Sequence, residues 1–73
     1  MTSREVIRRI KDLDSEAEVV HRVGSHQKWL LGGGCRVTIP VHTGDIPIGT
    51  LHSIERQGEP CLGLKWLTGQ KRR

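Results

Sequence analysis

The first hydrophobic pattern in the chain has helical spacing. Between residues 6 and 13, apolar side chains recur every three or four positions, which places them on one face of a helix. These apolar residues are Val6, Ile7, Ile10 and Leu13. Thr2 and Glu5, just before them, have the spacing of a capping box, in which each side chain hydrogen-bonds to the backbone N–H of the other. The pattern predicts an amphipathic helix that begins near Thr2.

The opposite face of this predicted helix is basic, because Arg4, Arg8 and Lys11 line up there. These side chains can contact phosphate groups. Exposed arginines and lysines on a surface helix are also ordinary solvation, and they come here without hydrogen-bonding residues that specify a target.

Three strands are predicted after the polar residues 14–17. The β-branched valines favour a first strand over Glu18–Val23, although its alternation is imperfect. Residues 26–31 alternate between two faces, and so do residues 35–41, where Pro40 should end the strand because it has no N–H to donate. Gly24-Ser25 and Gly32–Gly34 are predicted as the intervening turns.

A second helix is predicted from Pro47, a residue common at helix starts. Its apolar stripe contains Ile48, Leu51 and Ile54, and Gly58 is expected to end it. For the apolar residues 59–67 beyond it, which contain a proline and a glycine, we expect no more than one helical turn.

The predicted element order is helix, strand, strand, strand, helix. Two helices with one apolar stripe each are most simply buried together on one face of the antiparallel sheet, which leaves the other face for solvent or a ligand. The fold class is therefore α+β, a two-layer sandwich. We expect one domain over residues 1–68 and a basic C-terminal tail over residues 69–73.

Chain length and composition place the function on a surface. A chain of 73 residues buries only roughly 60% of its unfolded surface, so a deep cavity for a large cofactor is not expected. Two tryptophans are the only aromatic residues apart from histidine, so the core must be built from Val, Ile and Leu. We expect Trp29 to belong to that core and not to a base-stacking platform.

The net charge of +4 and the pI near 9.7 suit a polyanionic partner, although residues 71–73 supply three of the positive charges. Cys35 and Cys61 lie far apart and form no metal-ligand spacing, so we expect a reducing, cytoplasmic location with neither a disulfide nor zinc. No apolar run approaches the ~18 residues that a membrane span needs.

The stretch most suggestive of chemistry is Val23–Trp29. Gly24 and Ser25 turn the chain, His26 opens the next strand, and Lys28 follows on the same strand face. A histidine can take or give a proton at cellular pH, since its free pKa is near ~6.5. An ordinary turn followed by a half-exposed polar side chain explains the same residues equally well. His21, in the preceding strand, is likewise explained as a histidine that faces solvent.

Three segments in this order resemble the HicA family of mRNA-interferase toxins: Gly24–His26, Arg36–Pro40 and Asp45–Ile54. The resemblance covers roughly residues 3 to 58. It implies a double-stranded-RNA-binding-domain-like fold, ribosome-independent endonuclease cleavage of mRNA, catalysis by His26, and inhibition by a HicB-like antitoxin protein. The chain departs from the family at residues 14–17, where an aromatic residue is usual, and after Gly58, where members often continue into a short third helix.

Within this resemblance each residue type has a role. RNA supplies its own nucleophile, the ribose 2′-hydroxyl, so cleavage requires no metal or cofactor, only a base near that hydroxyl and positive charge near the phosphate. His26 can be that base, or it can be the acid if it is protonated and faces the leaving 5′-oxygen. Lys28 and the backbone N–H groups of Gly24 and Ser25 are expected at the phosphate. Further RNA contacts are expected from the predicted first helix, through Arg4, Arg8 and Lys11.

Some alternatives stay open on the sequence alone. His42, in the predicted loop after the third strand, is a candidate second proton-transfer group. The chain can also be a non-catalytic RNA-binding module of the same fold, in which Gly24–His26 contacts the minor groove. A purely structural interaction domain is a third reading, and the net charge argues against it.

Overall fold

The computed structural model describes residues 1–41 and 43–69 and has the predicted element order. Two helices and three strands follow one another: α1 (Ser3–Leu13), β1 (Glu18–Val23), β2 (His26–Leu30), β3 (Arg36–Pro40) and α2 (Ile48–Leu62). The strands form one antiparallel sheet in the order β1-β2-β3. The predicted α+β fold is confirmed, and it is consistent with a double-stranded-RNA-binding-domain-like architecture.

Helix α1 begins with the predicted capping box. The Glu5 backbone N–H donates to Thr2 Oγ1 over 3.2 Å, and the Thr2 N–H donates to Glu5 Oε1 over 2.8 Å. The second hydrogen bond is the main cause that lowers the pKa of the exposed Glu5 carboxyl. Of the predicted apolar stripe, Val6 and Ile10 are fully buried, whereas Leu13 at the end of the helix is about half exposed.

One face of the sheet is covered by both helices, and the core lies between the two layers. Alternation along the strands sends Trp29 of β2 and the side chains of Val37 and Ile39 of β3 into this core. Trp29 is 5% exposed, so the expectation that it is a core residue is confirmed. The buried hydrophobic residues are Val6, Ile10, Trp29, Leu31, Val37, Ile39, Ile46, Leu51, Ile54, Trp66 and Leu67.

Helix α2 does not end at Gly58, so that expectation was wrong. The helix continues to Leu62, and Gly63, with φ 97°, ends it by donating its N–H to the Glu59 carbonyl. Gly58 has a packing role instead: a Cβ there would lie 3.0–3.1 Å from the Trp66 indole. The glycine therefore allows the ring to pack closely against the helix backbone.

The segment after α2 is held by Glu55, a buried carboxylate on that helix. It accepts hydrogen bonds from the backbone N–H groups of Leu67 (2.9 Å) and Thr68 (2.6 Å) and from the Thr68 hydroxyl (2.8 Å). The Glu55 carbonyl accepts from Trp66 Nε1 over 2.6 Å. Burial by itself would raise the pKa of the Glu55 carboxyl, but these donors outweigh it and lower the pKa from its ordinary value of 4.5.

The expectation about the cysteines was also wrong, because Cys35 and Cys61 form a disulfide. Their Cα atoms lie 6.1 Å apart, since the start of β3 and the last turn of α2 meet at one end of the sandwich. The two residues are 26 positions apart in sequence, and pairing at that distance is decided by the tertiary fold, which cysteine spacing does not report.

Two further expectations concern the C-terminal tail and membrane spans. Gly69 donates its N–H to the Lys65 carbonyl over 3.2 Å, and the rest of the predicted basic tail lies outside the described residues. The proposed boundary after residue 68 therefore stays a prediction. In the described segments, neither helix has the length and apolar character needed to cross a bilayer.

The disulfide should contribute a large part of the stability of so small a domain. Closing a loop of 26 residues is expected to stabilise the fold by about 3–4 kcal/mol through loss of chain entropy in the unfolded state. Urea unfolding of the unmodified protein should therefore shift to lower urea when a reductant is added. The Cys35→Ser/Cys61→Ser protein should unfold at that lower midpoint with and without reductant. Equal midpoints for the oxidised and reduced protein would contradict this prediction.

Glu55 should give the fold a dependence on acid. Because folding lowers its pKa, its contribution to stability is complete above about pH 4.5 and is lost as the pH falls through the lower, folded-state pKa. Glu55→Gln should lower the free energy of unfolding at pH 7 by about 1–3 kcal/mol, since hydrogen bonds to a charged acceptor are lost. It should also flatten the fall in stability below pH 4.5, measured by urea unfolding across pH. Glu18→Gln, at an exposed position, is the matched control, and equal acid dependence of the two variants would contradict this role of Glu55.

Candidate functional site on the open face of the sheet

The sheet face that the helices leave uncovered carries His26 and Lys28, two of the site residues singled out by the sequence. Side chains that alternate away from Trp29 point to this open face, and strand pairing places their neighbours beside them. The open face is formed by Glu18, His21, Val23, His26, Lys28, Leu30, Arg36, Thr38 and Pro40.

His26 opens β2 directly after a two-residue hairpin turn and is exposed. Gly24 has φ 57°, the left-handed region, while Ser25 does not, and a glycine in the first position is what a type II′ turn requires. The Ser25 carbonyl accepts a hydrogen bond from the Val41 N–H, which fixes the turn to the end of β3. The turn therefore places the imidazole at the rim of the open face.

Lys28 follows His26 on the same face, about 7 Å further along the strand. It lies in the middle of the sheet, opposite His21 of β1 on one side and Thr38 of β3 on the other. The structure thus brings together four of the residues that the sequence assigned to the site, namely Gly24, Ser25, His26 and Lys28. Their roles in binding and catalysis stay predictions.

A β-bulge in β1 adds His21 to this face. Val19 pairs with Trp29, but the next pair is His21 with Lys28, so Val20 is an extra residue without a partner of its own. Without the bulge, alternation would turn His21 toward the covered side of the sheet. The imperfect alternation of Glu18–Val23 was the only sequence signal of the bulge. It did not show which side chain the bulge would turn to the other face of the sheet.

Beside His21 and Lys28 the open face contains a shallow cleft of about 340 Å³. Its lining residues are Val20, His21, Lys28, Leu30 and Arg36. One lysine, one arginine, one imidazole and two apolar side chains meet here, and none of the described lining residues carries a carboxylate. Glu18 stands opposite Leu30 at the outer end of the face. A phosphate group next to an apolar ring is the kind of ligand that this combination suits.

The basic residues of α1 are not brought to this cleft. Lys11 Nζ lies 5.6 Å from the centroid of the Trp29 ring, which is on the covered side of the sheet. Arg4 and Arg8 are exposed on the same helix. Arg4 lines a larger cleft of about 630 Å³ near the start of α1, in which it is the only charged residue among the described lining residues.

Two further expectations concern metal ions and His42. Residues 1–41 and 43–69 contain no group of three or more His, Cys, Asp or Glu side chains arranged to hold a metal ion. His42 lies outside the described residues, so its suggested role as a second proton-transfer group stays a prediction.

A family model described as the HicA toxin of bacterial toxin-antitoxin systems matches residues 3–59. The matched span contains α1, the whole sheet and most of α2, and therefore includes the Gly24–His26 turn. No curated protein and no solved structure shows significant similarity to the chain.

Proposed function

Because the chain belongs to the HicA toxin family of bacterial toxin-antitoxin systems, we propose that it is an endoribonuclease that cleaves mRNA and thereby blocks translation. The observation that supports this most directly is the exposed His26 beside Lys28 on an uncovered, cationic sheet face. A proton-transfer group and a phosphate-binding group are thus held on one rigid element, as catalysis by positioning requires.

In the proposed reaction His26 acts as the base. It removes the proton from a ribose 2′-hydroxyl, and the resulting oxyanion attacks the adjacent phosphorus. The Lys28 ammonium is placed to pair with the phosphate oxygens, on which negative charge builds up in the transition state. The chemistry assigned to these residues requires no cofactor. General base catalysis is typically worth about 10²- to 10⁴-fold in rate.

Membership of a toxin-antitoxin family implies an antitoxin partner in general. We propose that this partner is a HicB-like protein, that it inhibits the toxin by covering the open face, and that the toxin acts on mRNA in the cytoplasm. A cytoplasmic location bears on the disulfide, because cellular reductants keep most cytoplasmic thiols reduced. Activity of the Cys35→Ser/Cys61→Ser protein would show that the disulfide is not needed for RNA cleavage.

His26→Ala should abolish cleavage of a mixed-sequence RNA and leave the fold intact, because an exposed residue at a strand end contributes little to the core. RNA binding should persist, since contacts between cationic side chains and phosphate do not require the imidazole. His52→Ala, which removes an exposed histidine from α2, is the matched control and should cleave normally. Expression of the unmodified chain should arrest bacterial growth, and His26→Ala should not.

Circular dichroism, gel-shift affinity and RNA cleavage on the three purified proteins decide this prediction. Full cleavage by His26→Ala would refute its catalytic role. RNA binding without cleavage by the unmodified protein would favour the alternative, a non-catalytic RNA-binding module.

Lys28 and Lys11 lie on opposite sides of the sheet and should respond differently to substitution. Lys28→Gln should weaken binding to single-stranded RNA, and it should reduce the slope of log affinity against log salt by about 0.7, the change expected for one lost phosphate contact. Lys11→Gln, which changes a lysine on the covered side, should leave the slope unchanged. The measurement is a salt titration of affinity, and an unchanged slope for Lys28→Gln would remove Lys28 from the interface.

A further inference from the structure

We propose that His21 is a second catalytic residue, which donates a proton to the departing 5′-oxygen, and that the adjacent cleft holds RNA on the leaving-group side of the scissile bond. This inference rests on the proposed ribonuclease function. It assigns a role to a histidine whose sequence context is that of an ordinary strand residue.

The β-bulge at Val20 places His21 beside Lys28. A regular strand would continue the pairing of Val19 with Trp29, so that His21 would face Gln27 on the covered side. The bulge moves His21 to the open face, opposite Lys28. Bulges are over-represented next to active sites because they re-aim individual side chains.

The resulting spacing suits a pair of proton-transfer groups. Val23 stands opposite His26, so His21 is the diagonal neighbour of His26 across the β1–β2 pair. Diagonal neighbours lie about 7–8 Å apart at the backbone, within reach of long side chains that converge on one group. A phosphodiester seated on Lys28 has His26 toward the turn and His21 toward β1, and both imidazoles are exposed.

The residues beyond His21 are suited to the next part of the substrate. Lys28 and Arg36 line the cleft with the apolar side chains of Val20 and Leu30. The two cations can hold phosphate oxygens, and the apolar side chains can contact a ribose or a base. His26 lies toward the turn from Lys28 and does not line this cleft, so a phosphate seated on Lys28 in the proposed complex has His26 on one side and the cleft on the other.

The proposed step balances in protons and electrons. Neutral His26 takes the 2′-hydroxyl proton while the 2′-oxygen forms a bond to phosphorus. The bond from phosphorus to the 5′-oxygen breaks, and the imidazolium form of His21 gives its proton to that oxygen. The products are a 2′,3′-cyclic phosphate and a free 5′-hydroxyl, and the two histidines exchange protonation states before the next turnover.

A change of leaving group tests this role. Two RNA oligonucleotides are compared, one with the natural 5′-oxygen at the cleavage position and one with a 5′-bridging sulfur, which leaves as a thiolate without needing a proton. His21→Gln should lose about 10²- to 10⁴-fold in kcat/KM on the oxygen substrate. On the sulfur substrate it should stay within about tenfold of the unmodified protein, because no acid is required.

Two further proteins serve as controls. His26→Ala should lose activity on both substrates, since attack by the 2′-hydroxyl needs the base in either case. Arg22→Gln, which changes the neighbouring residue on the other face of β1, should keep activity on both.

The outcomes separate the two proposals. Full activity of His21→Gln on the oxygen substrate, or an equal loss on both substrates with unchanged circular dichroism, overturns the role of His21 and leaves the ribonuclease function standing. If the unmodified protein cleaves neither substrate, both the ribonuclease function and the role of His21 are overturned. Selective rescue of His21→Gln by the sulfur leaving group supports proton donation, because a merely structural residue would not distinguish the two substrates.

Discussion

Burial of Trp29 determines which way the central strand faces, and the candidate site depends on that choice. The Trp29 indole lies in the core, donates its N–H to Gln27 Oε1 over 3.1 Å, and has the Lys11 ammonium over its ring. A shift of one residue in register would exchange the two faces of β2, expose the tryptophan and bury His26 and Lys28. The hydrophobic stabilisation of one large side chain therefore also fixes the orientation of the chemical groups.

The other contacts of the domain keep helices on one side and leave the opposite side uncovered. Glu55 and Gly58 hold the Trp66 segment against α2. Between these two residues on α2, Gln57 accepts a hydrogen bond through its Oε1 from the Thr38 N–H over 2.8 Å, so the helix is also tied to the outer edge of β3. These contacts hold the sheet in one position relative to the helices. The proposed proton transfer needs such a rigid sheet, because it tolerates little error in the positions of the side chains that give and take the proton.

The sequence predicted the secondary-structure elements well, and it predicted that His26 and Lys28 share one strand face, because these signals are local. Period-two alternation, helical spacing and the Thr2–Glu5 capping box each act within a few residues, and strand boundaries came out within one residue. The failures depended on contacts distant in sequence. Gly58 resembled a helix end, yet its lack of a side chain serves Trp66, and Cys35 meets Cys61 only because β3 and α2 converge. The orientation of His21 depended on a bulge, which is set by pairing with β2 and not by β1 alone.

Binding of RNA to the open face of the sheet, as proposed above, can be located residue by residue with an NMR titration. Protein labelled with ¹⁵N is mixed with a 2′-O-methyl RNA oligonucleotide, which lacks the nucleophilic hydroxyl and cannot be cleaved. The largest changes in amide and imidazole signals should come from His21, His26, Lys28 and Arg36, with little change in α1. Changes concentrated at Arg4 and Arg8, with β2 unaffected, would mean that RNA binds α1 and not the open face.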